Sequence, residues 1–96
     1  MIIDDIICSN EILEKLEREH HVSESEIYEV LLWDTPIICF VEKGSVRGEN
    51  LYIAYGCTEA GRYLKIHFIY KRNRKALIVT ARNMSAKERR RFYGSR

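Results

Sequence analysis

Along the chain the spacing of apolar residues changes from helical to alternating and back to helical. Between Asn10 and His20, Leu13, Leu16 and His20 fall at i, i+3 and i+7 on one stripe. That spacing predicts a short amphipathic helix, which Ser9 or Asn10 can cap. A second helix is predicted from Ser23. Ser23-Glu24-Ser25-Glu26 is a capping box, in which the hydroxyl and the second carboxylate each satisfy an orphan N–H. Its stripe is Ile27, Val30 and Leu31. Trp33-Asp34-Thr35-Pro36 ends it, because proline disfavours helix in the residue before it.

From Ile37 onward the pattern is that of strands. Ile37 to Glu42 is a short apolar run, and Lys43-Gly44 through Gly48 reads as a turn or loop. Leu51 to Gly56 alternates Leu51, Ile53 and Tyr55 against Tyr52 and Ala54. Glu59-Ala60-Gly61 is a hairpin loop. Arg62 to Tyr70 is the clearest strand. Leu64, Ile66, Phe68 and Tyr70 line one face; Tyr63, Lys65, His67 and Ile69 line the other. Lys71 to Arg74 is a second loop around Asn73. Ala76 to Ala81 is the last strand, with Arg82 at its end. Ser85-Ala86-Lys87-Glu88 is a second capping box and starts a short C-terminal helix. The order predicts a single α+β domain over residues 1–96. Two N-terminal helices pack on a small, mainly antiparallel four-stranded sheet, and the other sheet face stays relatively open.

Composition narrows the class. The chain has 96 residues, five glycines and one proline, which fits one domain with one modest core and argues against disorder. Met1-Ile2-Ile3-Asp4-Asp5 lacks the positive start of a signal peptide, and no stretch approaches the roughly 18 apolar residues of a membrane span. The expectation is a cytoplasmic protein without a membrane partner. Cys8, Cys39 and Cys57 are odd in number and widely spaced, which fits reduced thiols rather than a disulfide framework or a zinc pattern. The acids of the first half lie mainly on helix solvent faces. No metal site and no cofactor are expected, and no Gly-rich phosphate loop or nucleophile elbow occurs.

Charge changes the picture more. From Arg62 onward there are twelve Lys and Arg against one acid, Glu88, a net +11; before it there are four against thirteen, a net −9. The overall +2 hides two opposed fields. The basic half points to a polyanionic partner, RNA or DNA first. Lys71, Arg72, Arg74 and Lys75 flank a tight turn that would track phosphates without reading sequence. Arg82, between a strand end and a helix start, suits anion binding; it equally suits pairing with Glu88 to pin helix to sheet. Arg89, Arg90 and Arg91 cannot all point one way on a helix, so at least one is expected on the sheet. Phe92 and Tyr93 are read as anchors of this helix. His20 and His67 are the two candidates for proton transfer, although a lone histidine on an apolar stripe, as His20 is, reads first as a packed residue. RNA cleavage by internal attack of the 2′-hydroxyl needs a base, cations on the phosphate and a proton donor, and histidine, arginine, lysine and tyrosine suffice.

Three ordered segments resemble a known family. Ala81-Arg82-Asn83-Met84-Ser85 followed by Glu88-Arg89-Arg90-Arg91-Phe92-Tyr93 resembles the closing signature of the BrnT-type toxins. Gly56-Cys57-Thr58-Glu59-Ala60-Gly61-Arg62 looks like that family's "G-x-T-x-x-G-R" hairpin, and His20 to Val30 is similar to its "K-H-G-V-[ST]-x-x-E" segment. Glu19 stands where that segment has lysine, His21 where it has glycine, and Ile2-Ile3-Asp4-Asp5 lacks the family's opening tryptophan. The resemblance implies a fold similar to the RelE/ParE toxins and an endoribonuclease that arrests translation. It implies an antitoxin partner, often of ribbon-helix-helix type, with DNA contacted only through that antitoxin. By motif match it assigns Arg62, Arg82 and His20 to the catalytic site; His67, read from the strand face it shares with Tyr63 and Lys65, is the other candidate proton mover. Lys71, Arg72, Arg74, Lys75, Lys87, Arg90 and Arg91 would hold RNA.

Overall fold

In the computed structural model, which describes residues 1–94, the change of period becomes a change of layer. Strand β1 (Asp5–Ile7) is followed by helix α1 (Asn10–His20) and helix α2 (Glu24–Tyr28), which continues as a π-helical turn (Glu29–Trp33). Strands β2 (Ile37–Val46), β3 (Glu49–Cys57), β4 (Tyr63–Tyr70) and β5 (Lys75–Asn83) follow, then helix α3 (Ala86–Tyr93). The fold is α+β, with a five-stranded mixed sheet in the order β1-β5-β4-β3-β2.

Four antiparallel strands were expected; the fifth, β1, pairs parallel to β5 through Asp5–Lys75, Ile6–Ala76 and Ile7–Leu77. Three residues are too few to show a period, and their partners lie near the far end of the chain. Strand β2 also runs past Glu42, where a turn was expected. It continues to Val46 through two register shifts against β3. Gly44 makes this possible: a Cβ there would lie 1.9 Å from the Glu49 carbonyl oxygen. Both hairpins flanking β4 close alike. Thr58 N–H donates to Arg62 O and Gly61 N–H to Thr58 O; Lys71 N–H donates to Lys75 O and Arg74 N–H to Lys71 O. Gly61 and Arg74, each just before the residue whose carbonyl closes the loop, are left-handed, at φ 89° and φ 64°.

The helix caps follow the sequence. Ser9 Oγ accepts from Ile12 N–H, and both capping boxes, Ser23/Glu26 and Ser85/Glu88, are complete. Helix α1 ends at His21, which is left-handed at φ 53°, so that Val22 N–H turns back to Leu16 O. Leu16, Val22, Ile27, Val30 and Leu31 from the helical layer meet Ala54, Leu64, Ile66, Phe68, Ala76, Ile78 and Ala81 of the sheet. Each fully buried large side chain among them contributes roughly 1.5–3 kcal/mol. The π-helical turn crosses β3 so closely that a Cβ on Gly56 would lie 2.7 Å from Val30 Cγ1.

The other sheet face is less open than expected. Phe92 of α3 stacks on Tyr55 with ring centroids 4.1 Å apart, and Tyr93 meets the Tyr63 ring edge-on at 5.0 Å. The Tyr93 hydroxyl donates to Tyr55 O at 3.0 Å. Strand alternation puts Tyr55, Tyr63 and Lys65 on the face away from α1 and α2, so α3 covers one end of that second face. Among the described residues no helix is long and apolar enough to cross a membrane.

Candidate functional site

Residues directly opposite each other in an antiparallel sheet project to the same side. The register therefore builds rows across the face that α3 borders. Ile37, Tyr55, Lys65 and Arg82 form one row, and Cys39, Ile53, His67 and Thr80 form the next. Two cations, a phenol and an imidazole thus share one patch of sheet.

Glu88 reaches into this patch from the first turn of α3. Its Oε2 accepts from Lys65 Nζ at 2.9 Å and from the Tyr55 hydroxyl at 3.4 Å. Its Oε1 accepts from Ser85 N–H at 2.9 Å, completing the capping box. Burial pushes the Glu88 carboxyl up, but the bonds from Ser85 and Lys65 outweigh it, and its pKa falls to about 2. Burial and the Glu88 charge raise the pKa of Tyr55, so this hydroxyl keeps its proton.

Lys65 and Arg82 are cross-strand neighbours of like charge, an arrangement that destabilises a sheet unless an anion relieves it. Glu88 pairs with Lys65 rather than with Arg82. Arg82 is exposed and its guanidinium has no hydrogen-bond partner among the described residues. His67 lies in the next row, and its Nδ1 is buried without a partner. Burial lowers the His67 pKa, the Lys65 and Arg82 charges lower it further, and Glu88 offsets part of this. The imidazole is accordingly neutral at pH 7, the form that accepts a proton.

The other candidates are placed differently. Arg62 points to the opposite face, into the helical layer. Its Nε donates to Asn83 Oδ1 (2.7 Å), its Nη1 to His21 O (2.6 Å) and to Glu26 (3.0 Å), and its Nη2 to His20 O (2.7 Å). The guanidinium is a clamp between the end of α1, the start of α2 and β5. It does not share a face with Arg82, so the two cannot grip one phosphate. His20 likewise belongs to α1 in the helical layer, whereas His67 projects from the other side. The sheet separates the two histidines, and only His67 joins Arg82.

The hairpin cations are tied as well. Lys71 Nζ pairs with Glu49 at 2.7 Å, Arg72 donates to Arg47 O at 2.7 Å, and Arg74 pairs with Asp4 at 2.9 Å. Acids from the first half thus neutralise much of a loop that looked free in the sequence. Among the described residues the side chains of Lys75, Lys87 and Arg90 have no ion-pair partner. On α3, Glu88, Arg89, Phe92 and Tyr93 face the sheet, with the Arg89 guanidinium 4.2 Å from the Tyr63 ring centroid. Lys87, Arg90 and Arg91 are exposed on the remaining side, Arg91 lying beside the Phe92 ring at 5.3 Å.

Tyr55 and Lys65 were not singled out from sequence, and beyond its helix cap Glu88 was read only as a partner for Arg82, whereas it pairs with Lys65. Alternation already put Lys65 beside His67, and that was a usable signal. Tyr55 and Glu88 join only through strand register and helix docking. Among the described residues no group of three or more His, Cys, Asp or Glu is arranged to hold a metal ion. Comparison with protein-family models finds no match for the chain, and comparison with curated proteins finds none.

Proposed function

We propose that the chain is a toxin of a type II toxin–antitoxin module, an endoribonuclease acting without metal on a RelE-like domain. The observation that carries the reading is the row Tyr55–Lys65–Arg82 with neutral His67 beside it. Two helices on one side of a largely antiparallel sheet and a C-terminal helix on the other fit that fold, and the three motif segments support the family.

In the proposed reaction His67 takes the proton of an RNA 2′-hydroxyl. The 2′-oxygen attacks the adjacent phosphorus, and the bond from phosphorus to the 5′-oxygen breaks. The products are a 2′,3′-cyclic phosphate and a 5′-hydroxyl. Lys65 and Arg82 hold the charge that grows on the phosphoryl oxygens. Tyr55 supplies a proton to the departing 5′-oxygen, since its hydroxyl is protonated and already donates to an oxyanion. Lys87 and Arg90 on the outer side of α3 give the rest of the strand a cationic track.

RNA incubated with the purified chain in EDTA, followed by mapping of the ends, tests this. Cleavage with 5′-hydroxyl ends, abolished by Arg82→Ala and by His67→Phe, is expected. No cleavage by the wild type, or equal cleavage by Arg82→Ala, refutes it.

A second reading is a nucleic-acid or antitoxin-binding module without catalysis. The commitment of Arg62 to protein acceptors favours it, because one of the arginines that the motif match places at the catalytic site is occupied. It predicts salt-sensitive RNA binding with no new RNA ends.

A further inference from the structure

We propose that Lys65, Arg82 and the Tyr55 hydroxyl form an oxyanion site for a phosphodiester, and that Glu88 occupies part of it as an internal stand-in for phosphate. This deepens the nucleic-acid reading above and rests on it.

The argument starts from unmatched donors. Lys65 and Arg82 sit opposite each other on adjacent strands. The side chain of Lys65 is only 12% exposed, so its charge is poorly served by water. Glu88 is the one acid in the sequence from Arg62 onward. Its Oε1 belongs to Ser85 N–H, and its Oε2 is shared by Lys65 and Tyr55. Arg82 is left with no acceptor among the described residues, and the His67 ring next to it has a buried, unpartnered nitrogen. One cation and a phenol therefore share one carboxylate oxygen, while the second cation beside them has no acceptor among the described residues. A phosphodiester has two non-bridging oxygens. One can take the Lys65 and Tyr55 donors while the other takes the Arg82 fork.

Glu88 can yield its place without loss of the fold. The Ser85 hydroxyl still caps α3 through Glu88 N–H at 3.1 Å. Phe92 and Tyr93 hold the helix through their rings, and none of its residues is fully buried. Glu88 thus lowers affinity for anions in general and leaves Lys65 only when a phosphate arrives.

The test uses a fluorescent single-stranded 2′-deoxyoligonucleotide, which lacks the attacking hydroxyl, and anisotropy titrations at fixed salt. Gln at the third helical position preserves a capping box, so Glu88→Gln removes the charge and retains the cap. Glu88→Gln is expected to bind about five- to tenfold more tightly than wild type, as removal of one close competing charge implies. Glu14→Gln, the same charge change on an exposed α1 position, is expected to shift affinity by less than about twofold. Lys65→Met should cancel the Glu88→Gln gain. Arg82→Gln, which breaks no hydrogen bond or ion pair among the described residues, should weaken binding about tenfold and reduce the salt slope by about one. A Glu88→Gln gain no larger than that of Glu14→Gln, or one that survives Lys65→Met, overturns the site assignment alone. Binding by the wild type that Arg82→Gln leaves unchanged does the same. Absence of binding by every variant overturns the nucleic-acid reading with it.

Discussion

Replacing Arg62 separates a structural clamp from a phosphate ligand. The guanidinium serves four acceptors: His20 O, His21 O, the Glu26 carboxylate and Asn83 Oδ1. Two of these are carbonyls at the end of α1, where no intrahelical N–H reaches them. A hydrogen bond to a charged group contributes about 1.5–3 kcal/mol when buried. This side chain is 25% exposed, so solvent screening reduces each contact to about 0.5–1 kcal/mol. Arg62→Ala should therefore cost about 2–4 kcal/mol, a large part of the roughly 5–10 kcal/mol of a domain this size. At about 4–8 °C per kcal/mol, the melting temperature should fall by about 8–32 °C. Arg62→Lys should fall between, because an ammonium cannot span the same acceptors. Far-UV circular dichroism is the suitable probe, since the single tryptophan, Trp33, is largely exposed and reports burial poorly. A pH series adds a second signature. Burial raises the Glu26 pKa, but the Ser23 N–H and Arg62 pull it below the ordinary 4.5. Its contribution is present above pH 4.5 and lost as the pH falls through the folded value. Arg62→Ala should flatten that acid-side loss. An Arg62→Ala protein with wild-type melting and pH dependence but no RNA cleavage would refute the clamp and return Arg62 to the phosphate.

Gly56→Ala should destabilise by about 1–3 kcal/mol in urea titration, since its Cβ would press on Val30 Cγ1 and the turn above it; an unchanged midpoint would mean that the turn gives way freely. His21→Gly should raise stability by about 0.5–1 kcal/mol, because the left-handed φ of 53° strains a residue with a Cβ. A fall in melting temperature would show that the His21 side chain makes up for that strain. Wild-type stability should drop as the pH falls from 4.5 towards about 2, where Glu88 takes up its proton and Lys65 loses its partner. Lys65→Met should remove part of this slope, and an unaltered acid profile would deny the pair its role. His67→Phe should keep the melting temperature within about 2 °C, since it removes a buried unpaired nitrogen, while abolishing cleavage.

The fold was legible wherever local chemistry fixes it. Both capping boxes are determined within four residues, because the hydroxyl and carboxylate satisfy N–H groups beside them. The alternation of Leu64, Ile66 and Phe68 against Lys65 and His67 set the two faces of β4, because a strand has a period of two. It also put Lys65 and His67 together before any contact was known. The charge split at Arg62 likewise belonged to the sequence.

Contacts between distant segments decided the rest. Strand β1 is invisible in a three-residue window and exists because β5 offers it an edge. Sequence grouped the arginines by sign, and the fold sorted them by face. Arg62 enters the helical layer, Arg89 lies on Tyr63, Lys71 and Arg74 meet Glu49 and Asp4, and Arg82 remains without a partner among the described residues. His20 and His67 looked interchangeable as proton movers until the sheet came between them. Charge is a property of the residue and can be counted from the chain. What a charge can bind depends on which acceptors have already taken it, and strand register and helix docking settle that.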